Sequence, residues 1–290
     1  MLVQFRFILF IFAVLILQPE VNGDTLNYKL NDGYEIPAVA LGTSLGHLAD
    51  LWNDAHKKEE VVAALKKSLN ELQMEYVDLY LVHYPMAYKD NGEVSDTDYL
   101  ETWDGMEEAK NLNLTKSIGI SNFNITQMQR LWDHARIKPA VLQIEVNPTI
   151  TQDDLVQWCR RHGVVVMAYS PFGGILGRKK DAPPPRADDP TLQRLAQKYN
   201  KTVPQILLRY LLDRQLVAIP RSTNKKRIEE NINILDFNLT TEEVDELSNF
   251  NKNYRLRTPA KWYPHPHFPF EKKNLTNAEI QYIIEHSKED

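Results

Sequence analysis

Apolar and polar positions divide this 290-residue chain into three regimes. Residues 7–17 are an unbroken apolar run preceded by one basic residue, Arg6. Two short extended runs, 27–30 and 35–40, then flank Asn31-Asp32-Gly33. Asp-Gly between such runs predicts a hairpin, because both residues tolerate positive φ, and this one is expected to plug or lid the remainder of the fold. Beyond it, β-branched apolar runs at 39–42, 77–82, 117–120, 140–145, 164–168 and 216–219 alternate with amphipathic stretches at 57–72, 99–112, 127–135, 153–161, 203–214 and 227–235. The first set reads as buried parallel strands and the second as helices, so the pattern predicts an α/β fold with a mostly parallel sheet.

The strand ends choose between architectures. Each run passes into polar or small residues: Gly42-Thr43, His83-Tyr84, Ser121-Asn122, Glu145-Val146-Asn147, Tyr169-Ser170 and Arg221-Ser222. An open sheet gathers its ligand at one switch point, whereas a (β/α)8 barrel builds its site from all the C-terminal strand ends. Polar groups at six ends predict the barrel. Yet closure needs eight strands, and two missing β/α units amount to roughly 50–60 residues. The deficit falls between the first strand and the helix at 57, where only residues 44–53 intervene.

Composition narrows the setting. With 43% apolar and 25% charged residues the chain can bury a large core, and a net charge of -5 leaves no basic surplus for nucleic acid. Residues 1–23, ending in the small residues Val21 and Gly23, read as a signal peptide whose apolar run 7–17 is too short to span a bilayer, which leaves one domain over 24–290 and no membrane attachment after cleavage. Asn113, Asn124, Asn200, Asn238 and Asn274 each open a glycosylation sequon, so a glycoprotein, secreted or retained in the endoplasmic reticulum lumen, is expected. The chain ends in Ser-Lys-Glu-Asp, which is not a retention signal. Cys159 stands alone, so packing rather than cross-links must hold the fold. His265-Pro-His267 has no neighbouring Cys or carboxylate cluster, and no metal centre is expected.

Leu41-Gly42-Thr43, the run from Asp78 to His83-Tyr84-Pro85, Gly119-Ile120-Ser121-Asn122-Phe123, Gln143-Ile144-Glu145, Ala168-Tyr169-Ser170-Pro171, and Ile219-Pro220-Arg221-Ser222 followed by Arg227 to Asn231 resemble, in order, the signature blocks of the aldo-keto reductases. The resemblance runs from Leu26 to the tail. It implies a (β/α)8 barrel, incomplete here, in a monomer that reduces a small aldehyde or ketone with NADPH. By that resemblance Tyr169 stacks on the nicotinamide, while Ser121, Asn122 and Gln143 hold its carboxamide. Ser170, Phe172 and Gly174 are expected at phosphate or ribose, Gly42 and Thr43 approach from the first strand, and the loop 172–189 folds over the cofactor. Arg221, Ser222, Thr223 and Arg227 grip the 2′-phosphate, with Glu230 and Asn231 at the adenine. A basic cluster at a helix N-terminus opposes the macrodipole, and a bound anion relieves it.

The proton-transfer residues are another matter. The family uses a Tyr acid tuned by a Lys that an Asp orients, with a His beside the substrate oxygen. His83 matches that His and is assigned to catalysis and substrate contact, with Tyr84 and Trp262 as further substrate-facing residues and the tail 251–290 forming part of the pocket. No Asp-Thr-Ala block followed by Tyr appears, and the Lys position before Leu51-Trp52 is Asp50. Adjoining strand residues face opposite sides, so Tyr84 is not expected to replace the missing acid. The expectation is reduction impaired at its proton step; a non-catalytic NADPH-binding or interaction protein and an unstable truncated chain are the alternatives.

Overall fold

The computed structural model describes residues 9–10, 14–15, 26–42, 51, 53–89, 91–177, 179–180, 182–258, 262–271, 276 and 278–279. Thr43, Asp50 and the rest of 43–50 lie outside the described residues, as does Asn274.

Short strands come first: β1 (Leu9–Phe10), β2 (Val14–Leu15), β3 (Asn27–Lys29), β4 (Glu35–Pro37) and β5 (Leu41–Gly42). The chain then runs α1 (Lys58–Leu72), β6 (Val77–Val82), α2 (Tyr99–Asn111), β7 (Thr115–Ser121), α3 (Ile125–His134), β8 (Val141–Glu145), α4 (Asp153–Arg161) and β9 (Val165–Tyr169). It finishes with α5 (Pro190–Tyr199), α6 (Val203–Asp213), β10 (Val217–Ala218), α7 (Lys225–Ile232) and α8 (Thr241–Ser248).

The strands form a five-stranded parallel sheet in the order β10-β9-β8-β7-β6. Single parallel bridges extend it at both ends: Val39 pairs with Ala218 and Gly42 with Arg221 on one side, and Leu51 with Val82 on the other. The first predicted strand is therefore present, reduced to bridges and the two residues of β5, and among the described residues the parallel barrel is incomplete between β5 and Leu51. On that open side β5 pairs antiparallel with β2, β2 pairs with β1, and β1 lies against β6. Of the apolar run read as a leader, the described residues 9–10 and 14–15 are thus paired beside β5. An unpaired edge beside an apolar segment favours this pairing, because each ladder hydrogen bond satisfies a backbone group that water alone would otherwise solvate.

Strand alternation sorts the core into two layers. Tyr80 and Val82 face the helices, in a cluster that also holds Leu65, Trp103, Met106, Leu131 and Leu211. Leu79 and Leu81 face inward with Val141, Met167, Val217 and Ile219. Leu30 and Ile36 from the β3–β4 hairpin close that inner cluster, so the hairpin is the plug its Asp-Gly turn announced.

Local chemistry sets the helix starts. Asp98 caps α2 through the Leu100 N–H, and Asn124–Gln127 and Thr202–Gln205 form reciprocal capping boxes on α3 and α6. The pattern missed α5 and α8, although Asp189-Pro190 and the Thr240–Glu243 box mark their starts.

Candidate functional site

The C-terminal ends of β6, β7, β8 and β9 converge on one hydrogen-bonded cluster. Asn122, just past β7 with φ of 61°, donates from Nδ2 to the His83 carbonyl at 3.0 Å and to Ser121 Oγ at 3.1 Å. Asn is among the few residues that tolerate this left-handed geometry. Ser121 Oγ donates to the Gln143 carbonyl at 2.9 Å, and the Tyr169 hydroxyl donates to Asn122 Oδ1 at 2.8 Å. Four sequence-assigned residues, Ser121, Asn122, Gln143 and Tyr169, are therefore brought together. Gln143 is fully buried, and its Oε1 has no hydrogen-bond partner among the described residues. A buried amide oxygen left this way costs about 1–3 kcal/mol, so the position favours a ligand carrying an N–H donor. Burial, then Tyr84 and Glu145, push the Tyr169 phenol well above its usual range, which keeps it neutral.

His83 and Tyr84 depart from the strand rule. β6 ends at Val82, alternation lapses there, and the two rings stack at 4.7 Å with 9° between their planes. The expectation of opposite faces is corrected: both line one side of the site. Trp262 meets Tyr84 edge-on at 4.9 Å and Phe270 does so at 6.3 Å, so the tail packs against Tyr84. His265, by contrast, ties the tail to the segment after β6. Its Nε2 lies 3.0 Å from the Ala87 carbonyl and its Nδ1 accepts from the His267 N–H at 3.0 Å.

The basic segment lies beyond β10. Arg221 is bridged to Gly42, and Arg221, Thr223, Lys225, Lys226 and Arg227 are all exposed. Asn224 caps α7 by accepting the Arg227 N–H at 3.1 Å, Ser222 Oγ accepts from Arg227 Nε at 3.4 Å, Glu230 is half-buried and Asn231 buried. Two glycines are fixed by close neighbours. A Cβ on Gly42 would lie 2.7 Å from the Ile219 carbonyl oxygen, and one on Gly174 would lie 2.4 Å from the Ala182 side chain. The side-chain space at Gly174 is thus taken by Ala182 of its own loop. Ser170, with φ of 47°, and Phe172 are half-buried at the start of that loop.

Residues that the motifs did not assign also belong here. Glu145 is fully buried at the end of β8 and accepts backbone N–H groups from Leu256 and Arg257. His56, before α1, is buried with neither ring nitrogen partnered among the described residues. Glu145 closes the Gln143-Ile144-Glu145 block without a role assigned to it, and His56 carries no local signal; the surroundings of each come from distant segments.

A parallel barrel with its polar side chains gathered at the C-terminal strand ends defines an α/β-barrel protein with one composite ligand site. This chain belongs to the aldo/keto reductase family, whose model matches residues 38–252. It is 54% identical over 220 residues to aldo-keto reductase AKR2E4 of Bombyx mori, covering 76% of this chain and 71% of that one. Human aldo-keto reductase family 1 member A1 is 36% identical over 274 residues, which is 87% of this chain and 83% of that one. The crystal structure of Bombyx mori AKR2E4 in complex with NADP superposes with a TM-score of 0.81 at 42% identity, covering 86% of this chain and 100% of that one. For AKR2E5 complexed with NADPH the values are 0.83, 34%, 89% and 97%.

Proposed function

We propose that this chain binds NADPH at the C-terminal strand ends and reduces aldehydes or ketones slowly, because the proton-delivery half of the reaction is impaired. The observation that carries the binding half is Gln143. Its side-chain Oε1 is buried and unpartnered among the described residues, its backbone carbonyl is tied to Ser121 Oγ, and a carboxamide N–H would complete the free acceptor. Likeness to two silkworm reductases crystallised with NADP and NADPH supports the same cofactor here.

Bound NADPH supplies the hydride that forms the new C–H bond of the alcohol. The chain's own residues must do the rest. Tyr169, kept neutral and fixed by its bond to Asn122, offers a flat ring to the nicotinamide. Exposed Arg221 and Arg227 give guanidinium forks to a ribose phosphate, and the cap on α7 holds them in register. His83 holds the carbonyl oxygen, and Tyr84 and Trp262 wall the substrate.

The oxygen must gain a proton as the carbon gains the hydride. The family's acid and the Asp that orients its Lys have no counterpart block, and Asp50 stands where the Lys belongs. Loss of one general acid costs about 10²–10⁴ in rate. The test is Gln143→Leu, which fills the same space without the acceptor. NADPH quenching of intrinsic fluorescence should weaken about tenfold or more, given the cost of the unpaired amide on the ligand. Equal quenching in variant and wild type contradicts the assignment.

We also place the chain in the secretory pathway, on its apolar leader and on exposed sequons at Asn113, Asn200 and Asn238. Among the described residues no helix is long and apolar enough to cross a membrane.

A further inference from the structure

Glu145 is an expensive residue to bury. It lies at the end of β8 with no exposure, and burial raises its carboxyl pKa while the backbone N–H groups of Leu256 and Arg257, then the Arg255 and Arg257 side chains, pull the other way. A charge in such a place is kept only when it is well hydrogen-bonded, and an apolar residue of similar size is often no less stable. Glu145 meets the first condition at one spot on the chain: Oε1 accepts the Leu256 N–H at 2.8 Å and Oε2 the Arg257 N–H at 3.0 Å.

Residues 251–255 and 257–258 carry no secondary structure, and 256 is only a bend. A second anchor for this stretch is the Thr149 carbonyl, which accepts from both Lys252 and Tyr254 at 3.1 Å. Farther along, residues 262–270 bring Trp262 and Phe270 onto Tyr84. Arg255 joins the two parts, its guanidinium 4.2 Å from the Phe270 ring centre. The far end is tied separately, through Asn124 Nδ2 to the Pro269 carbonyl at 3.2 Å and Gln127 Nε2 to the His267 carbonyl at 2.9 Å.

We propose that Glu145 is a positioning residue, a two-pronged clamp that fixes the C-terminal strap at 256–257 and thereby sets where the Trp262–Phe270 wall sits over His83 and Tyr84. The clamp rests on the carbonyl-site reading only for what the strap covers; the fixing of the strap stands apart from it.

Hydrogen exchange on the full chain tests the fixing, using Glu145→Ala, which removes both acceptors, and Glu145→Gln, which keeps one. Exchange over 252–258 and 262–271 should quicken about tenfold or more in the Ala variant and less in the Gln variant, while 203–213 in α6 stays unchanged. Binding of 4-nitrobenzaldehyde to the NADP-loaded protein should weaken in the same order, since the strap meets the substrate side. Unchanged strap exchange in the Ala variant overturns the clamp. So does quickened exchange of α6 together with the strap in both variants, which would make Glu145 a residue of the core alone. Should wild-type protein fail to bind NADPH, the cofactor reading falls while the exchange result still judges the clamp.

Discussion

Acidification should strike this protein first at His56. Its ring is buried with both nitrogens unpartnered among the described residues, and burial, then the nearby His265 and His83, lower its pKa from 6.5 to about 3. A group depressed on folding contributes stability that is fully present above the unfolded pKa and is lost as pH falls toward the folded one. The window is therefore pH 6.5 down to about 3. Each unit inside it is worth about 1.4 kcal/mol, so pH 5 costs about 2 kcal/mol relative to pH 7 from this side chain. Urea unfolding followed by tryptophan fluorescence reads that as a midpoint lowered by about 1 M, with an unfolding slope of about 2 kcal/mol/M. His56→Leu removes the proton acceptor and two unpaired buried nitrogens. Its midpoint at pH 7 should be near that of the wild type, and its drop toward pH 5 smaller by about the same 2 kcal/mol. Parallel pH profiles for the two proteins would show that His56 is charged or solvated in the fold, refuting the reasoning.

Other consequences are read more quickly. Gly119→Ala places a Cβ 2.5 Å from the Val141 carbonyl oxygen and 2.7 Å from Leu81, so thermal unfolding should move down by the equivalent of about 1–3 kcal/mol. Arg221→Ala combined with Arg227→Ala should erase any preference for NADPH over NADH in a quenching titration, leaving NADH binding nearly unchanged. Chain secreted from eukaryotic cells should lose mass on endoglycosidase treatment at the exposed Asn113, Asn200 or Asn238. Asn124, whose Oδ1 caps α3 and whose Nδ2 holds the Pro269 carbonyl, should stay unmodified in peptide mapping.

Much of the fold was legible in the chain. The parallel strands and six of the helices come out of hydrophobic period, because buried strands and amphipathic helices leave different spacings. Ser121, Asn122, Gln143 and Tyr169 sit at strand ends whose motifs named them, and the structure joins them through Ser121 Oγ and the Tyr169 hydroxyl. What the pattern could not carry was anything decided over long separations. Glu145 looks like one more strand residue until residues 256 and 257, more than a hundred positions on, supply its partners. His83 and Tyr84 share a face because the strand stops one residue before them, and strand ends are where pattern reading is weakest. The open side of the barrel was visible as a shortfall in length, but not that residues 9–10 and 14–15 would pair beside it.

On the proposed reading, nucleotide grip and proton delivery have come apart in this chain. One titration and then one rate measurement test it, beside the silkworm AKR2E4 protein under identical conditions: NADPH quenching of intrinsic fluorescence, then NADPH oxidation with 4-nitrobenzaldehyde. Saturable quenching in both, with turnover here lower by about 10² or more, is the expected result. Turnover within about tenfold of the silkworm enzyme, or a folded sample that NADPH does not quench, contradicts it.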